Sequence, residues 1–187
     1  MLRLLPAALA AAALALPAAA DEFTDTVEGA LEAYRDGDLT AARQDLDYAT
    51  KLLASMKSES LAKFLPEALP GWTRTDEGGE EAGGMMAMLG GGTATGATYT
   101  SDDGTEMTIN LVANSPMVSG IAGMIGGLGA MGGGKPMRIQ RTEFADNDGE
   151  LQGVVDGKVL ISVSGDATVA DKTAYLEAMD FKGLASF

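Results

Sequence analysis

The chain has 187 residues, 27 acidic against 13 basic, a formal net charge of -14, and neither cysteine nor histidine. Disulfides, a thiol nucleophile, an imidazole proton shuttle, Ser-His or Cys-His catalysis and the usual histidine or cysteine zinc site are thereby excluded. An acid excess of this size, with no basic patch to offset it, repels phosphate backbones, so nucleic acid is not an expected partner.

The first residues, Met1-Leu2-Arg3 followed by "LLPAALAAAALALP" and "AAA" before Asp21, have the basic start, apolar middle and small-residue cleavage site of a secretory signal. Residues 1–20 are therefore set apart from the fold. The mature chain is expected to begin near Asp21 and, without Arg3, to keep 12 basic against 27 acidic residues. Export of a soluble chain with an alanine-rich signal points to the periplasm.

From 21 to 70 the pattern is that of a helical hairpin. Val27, Ala30, Leu31 and Tyr34 recur at helical spacing, "RDGD" at 35–38 supplies a turn and a new cap, and Leu39, Ala42, Leu46, Ala49, Leu52, Leu53 and Met56 form a second stripe. Pro66 and Pro70 close it. The stretch "ALEAYRDGDLTAARQDLDYATKLL" resembles one tetratricopeptide-type helix pair. One such unit does not bury its own face, so it is expected to pack on the C-terminal domain or on a partner. Ser60 and Lys63 have the Ser-x-x-Lys spacing of penicillin-recognising enzymes, but the companion motifs are missing.

Strand patterning begins at Gly71. "GWTRTDE" precedes a Gly/Met-rich loop, "GGEEAGGMMAMLGGG" at 78–92. "TATGATYT" then meets "EMTINLVA" across "SDDG", with Met107, Ile109, Leu111 and Ala113 alternating onto one face. Ser115 and Pro116 suit the cap and first position of a helix. Three further strands are read from "MRIQRTEF", from "ELQGVV" after "DNDG", and from "KVLISVSG" after Asp156-Gly157. Thr168 with Asp171 opens a last helix whose stripe is Val169, Thr173 and Leu176. The expected class is α+β: a helical hairpin, then over 71–187 a mainly antiparallel sheet of about six strands, in the order βββαβββα, with packed helices. That order, ending in "AMDFKGL", resembles the Mog1/PsbP-like domains, including DcrB-type exported bacterial proteins. The resemblance implies an accessory or binding role and brings no active-site residues with it.

The stretch at 115–134, "SPMVSGIAGMIGGLGAMGGG", has no charge and eight glycines. Met117, Ile121, Met124, Leu128 and Met131 fall at spacings of four and three, forming one stripe on a helix that is the candidate wall of a ligand groove. Each glycine costs such a helix about 1 kcal/mol relative to alanine, which argues against a membrane span. A weak membrane-surface contact is the alternative, because Lys135, Arg138 and Arg141 follow. Gly123 and Gly127 offer a place for close backbone approach. Met85, Met86 and Met88 form an "MMxM" cluster of soft thioethers suited to Cu(I), the alternative to having no cofactor at all. "ADNDGE" at 145–150 is better read as a polar turn than as a calcium loop, since Phe144 and Val155 stand where ligands are needed. With no catalytic set in sight, the expected function is an exported, non-catalytic binding or accessory protein, its partner an unidentified protein or apolar small molecule.

Overall fold

A computed structural model describes residues 18–77, 91–128 and 135–187, without the side chains of 18–20 and 124–128. The chain divides into two compact units, residues 1–53 and 54–187. The division falls within a helix rather than at the prolines that follow it, because Leu61 and Leu65 belong to the core of the second unit.

The first unit consists of α1 (Ala18–Arg35) and the greater part of α2 (Leu39–Ala62). Gly37, at φ +84°, makes the turn between them. Asp38 then caps α2, its Oδ1 accepting from the backbone N–H groups of Thr40 and Ala41 at 3.1 and 3.0 Å. The residues buried here are small: Ala30, Ala42 and Ala49. Glu22 and Tyr48 join the two helices, the hydroxyl donating to Glu22 Oε1 at 2.6 Å. That hydrogen bond to a carboxylate raises the Tyr48 phenol above its ordinary pKa.

The second unit is built on one seven-stranded sheet, every neighbouring pair antiparallel. Its strands are β1 (Trp72–Asp76), β2 (Thr93–Ser101), β3 (Glu106–Ala113), β4 (Lys135–Ile139), β5 (Thr142–Asn147), β6 (Glu150–Val155) and β7 (Val159–Gly165). The spatial order is β1-β2-β3-β7-β6-β5-β4. Helix α3 (Pro116–Leu128) links β3 to β4, and α4 (Val169–Ala178) and α5 (Phe181–Leu184) end the chain. The α+β class and the antiparallel sheet agree with the sequence pattern, but the described residues form seven strands, not six. "MRIQRTEF" is two strands folded about Gln140 and Arg141, at φ +47° and +72°.

Alternation puts one face of this sheet into the core: Ala97 and Tyr99 from β2, Met107, Ile109 and Leu111 from β3, Phe144 from β5, Leu151 and Val155 from β6, and Ile161 and Val163 from β7. Leu61, Leu65, Tyr175, Leu176, Phe181 and Leu184 complete it. Gly153 stands opposite Phe144, and a Cβ there would lie 2.6 Å from the ring, so the glycine is the slot the ring occupies. Thr168 caps α4 as its sequence implies, accepting from Asp171 N–H at 3.2 Å. The helix buries Lys172, Tyr175 and Leu176, however, while Val169 and Thr173 are half-buried.

Two tyrosines fasten the segment between α2 and β1. Tyr99 OH donates to the Pro66 carbonyl at 2.6 Å, and Tyr175 OH accepts from Leu69 N–H at 3.0 Å, with the two ring centroids 4.6 Å apart. Arg74 adds Nη1 bonds to the Leu65 and Pro66 carbonyls at 3.1 and 3.2 Å.

Candidate interaction surfaces

Eight large apolar side chains are exposed among the described residues, and seven of them lie in the first unit: Val27, Leu31, Tyr34, Leu39, Leu46, Tyr48 and Leu53. Tyr34 and Leu39 are 63% and 65% exposed, more than is normal for core positions of an amphipathic helix. The apolar arcs of α1 and α2 are wider than one neighbouring helix can cover. Alanines take the seam between the helices, and the large residues are left outside.

Their placement follows from helical geometry, with each residue advancing about 100° round the axis. On α1, Val27, Leu31 and Tyr34 lie to one side of the buried Ala30. On α2, Leu39, Leu46 and Leu53 recur every seven residues and lie to one side of the buried Ala42 and Ala49. In an antiparallel pair these two offsets point the same way, so the six residues share one face. Glu22 and Tyr48, offset in the opposite sense on their helices, meet on the other face, as their hydrogen bond requires. The sequence identified these stripes as apolar and implied that the hairpin packs on the C-terminal domain or on a partner, without separating the inward side chains from the outward ones.

In the second unit, α3 lies against β5, β6 and β7. Ser115 starts it, its Oγ accepting from Met117 N–H at 3.3 Å. Among its described side chains Val118 is buried, Ile121 is half-buried, and Met117 is 42% exposed. The expected stripe therefore begins one position away from the anchoring residue. The side chains of Met124 and Leu128, and Met131 altogether, lie outside the described residues. Gly123 has open space where a Cβ would stand, so it serves no close backbone approach, and the surroundings of Gly127, its expected companion, lie outside what is described.

An open cleft of about 280 Å³ adjoins this helix, lined by Ala122, Arg141, Thr142, Glu143, Val154, Asp156 and Gly157. Val154 and Glu143 belong to the face of the sheet opposite the core, since Phe144, Leu151 and Val155 fill the core side. On that second face one row across the strands, Ala94, Val112, Leu160 and Val154, is apolar, and the rows beyond it are polar: Thr98 and Thr108 hydroxyls stand 3.0 Å apart, with Asn110, Ser162 and Gln152 half-buried nearby in the register. The cleft thus meets the helix at Ala122 and has a charged rim of Arg141, Glu143 and Asp156. Sequence reasoning missed the rim, because Arg141 reaches it only through the turn that splits β4 from β5.

The thioether cluster of Met85, Met86 and Met88 lies outside the described residues. Among those described, no group of three or more carboxylates is placed to hold a metal ion, and no helix is long and apolar enough to cross a membrane. Comparison of the chain with family models, with curated proteins and with solved structures found no match.

Proposed function

We propose that this chain is an exported, non-catalytic accessory protein whose helical hairpin docks a protein partner, with the antiparallel sheet unit as its scaffold. The observation that carries the reading is the gathering of seven of the eight exposed large apolar side chains on one hairpin. Exposed apolar surface collected in one place, rather than scattered, is the mark of an interaction surface. The absence of histidine and cysteine from the whole sequence supports a binding role over a catalytic one. The cleft beside α3 is the place on the scaffold where a small ligand would lie.

A photoreactive amino acid placed at Leu46, and as a control at Gln44 on the far side of α2, tests the docking reading in cells that produce the chain. A discrete cross-linked adduct from position 46 and none from 44 is the expected result. Absence of any adduct from 46 would remove the reading.

A further inference from the structure

We infer that residues 21–53 open and close as a unit of their own, far more readily than the sheet unit unfolds, so that the chain without a partner is cut by proteases in this hairpin first. The local opening stands on the hairpin's own structure; its bearing on docking rests on the reading above. Three observations carry it. First, the hairpin buries little. Among its described residues Ala30, Ala42 and Ala49 are buried, with Phe23 and Leu52 half-buried, while seven large apolar side chains lie exposed. An alanine offers a single methyl group to a core, and fixing a residue's backbone costs more than that contact contributes. The sheet unit, by contrast, buries one continuous cluster of leucine, isoleucine, valine and aromatic side chains.

Second, the helices have little stability of their own. Beyond the expected signal, α1 runs from Asp21 to Arg35 and the hairpin's part of α2 from Leu39 to Leu53, and isolated helices of that length are marginal in water even when rich in alanine. Thr24, Thr26, Val27 and Gly29 are poor helix formers within α1. Asp21, Asp25, Glu28 and Glu32 recur at spacings of four, three and four, so like charges repel down one side of it. Third, α2 is anchored beyond the hairpin. Ser58 Oγ donates to the Ala94 carbonyl at 2.7 Å and Leu61 is fully buried, so opening of 21–53 leaves these contacts in place.

Arg35, Arg43 and Lys51 lie exposed within the opening segment. Cleavage there follows the population of the open form, and a partner seated on the closed hairpin lowers that population. The hairpin thus marks a chain that has found no partner for degradation.

Limited digestion of the purified protein with trypsin, together with hydrogen exchange read by mass spectrometry, is the test. The first cuts should follow Arg35, Arg43 or Lys51 and leave a resistant fragment ending at Phe187, with amides of 24–53 exchanging about a hundredfold or more faster than those of β3 and β7. Gly29→Ala, whose added methyl has Asp45 Oδ2 at 3.4 Å as its nearest neighbour, should slow both reactions about fivefold by favouring the helix. Gly29→Pro should abolish the protection of α1 and leave β3 and β7 unchanged. Hairpin amides that exchange as slowly as those of β3 and β7 overturn the inference, as does trypsin removing the full chain and the fragment in one step. A protected hairpin with an adduct from position 46 overturns it and leaves the docking reading intact; an unprotected hairpin with no adduct from 46 removes the docking reading and upholds the local opening.

Discussion

The side-chain amide nitrogen of Gln140 lies 2.9 Å from the carbonyl oxygen of Met179, and at the same distance from the carbonyls of Leu176 and Glu177. One turn residue thus supplies donors to the end of α4, where helical carbonyls have no partner of their own. The residue sits at φ +47°, a conformation that glycine adopts without strain. Its retained side chain is explained by the helix it caps.

Replacing Gln140 separates these two effects. Gln140→Ala keeps the strained backbone and loses the donors, and should cost about 0.5–1.5 kcal/mol. Gln140→Gly loses the same donors but relaxes the turn, so it should be the more stable of the two by roughly 1 kcal/mol. Urea unfolding of both variants measures the difference. Equal midpoints would mean that backbone strain at this turn is negligible.

The same turn explains where the sequence was legible and where it was not. Asp148-Gly149 and Asp156-Gly157 carry the local chemistry of two-residue hairpins and mark their turns directly, at φ +53°, +91° and +51°, +67°. Gln140-Arg141 adopts the same kind of turn with neither glycine nor asparagine, because its stabilisation comes from α4, some 36 residues away. Local pattern cannot report a distant acceptor, so two strands read as one. The strand alternation of Met107, Ile109 and Leu111, the Thr168 cap and the Gly37 turn are local, and all were readable. The hairpin face was half legible: periodicity identified the apolar residues, but which of them face inward depends on how closely two helices approach, and alanines settled that.

Lys172 is 1% exposed, and its Nζ donates to the carbonyls of Gly149 at 2.6 Å and Gly165 at 2.7 Å. It ties the β5–β6 turn to the end of β7 from within α4. Lys172→Ala should destabilise by about 2–3 kcal/mol, since it opens a cavity where the buried lysine stem stood and removes the donor shared by the carbonyls of half-buried Gly149 and of Gly165. Lys172→Met, which fills the space, should recover about 1 kcal/mol of that loss. Thermal unfolding of the pair distinguishes a hydrogen-bonding role from simple packing; equal melting temperatures for wild type and Met would refute the former.

Gly120 and Gly123 of α3 are exposed, with nothing near the position of a Cβ. Each Gly→Ala change should therefore stabilise the protein by about 0.5–1 kcal/mol, by restricting the unfolded chain and favouring the helix. Destabilisation by either alanine, measured by urea unfolding, would show that the helix lies closer to its neighbours than the structure has it.

Alkaline pH acts on the tyrosines that fasten the segment before β1. Burial raises the Tyr99 phenol well above its ordinary value, a shift that the Arg74 guanidinium only partly offsets, and burial raises Tyr175 as well. The folded state therefore favours the neutral phenols. Their contribution is fully present below the unfolded value of about 10 and falls as pH rises beyond it. Tyr99→Phe should lose about 1–2 kcal/mol at neutral pH, because the Pro66 carbonyl loses its donor. Above pH 10, however, its stability should decline less steeply than that of the wild type. Urea midpoints followed from pH 7 to 11 for both proteins test this, and parallel curves would show that Tyr99 does not contribute to alkaline unfolding.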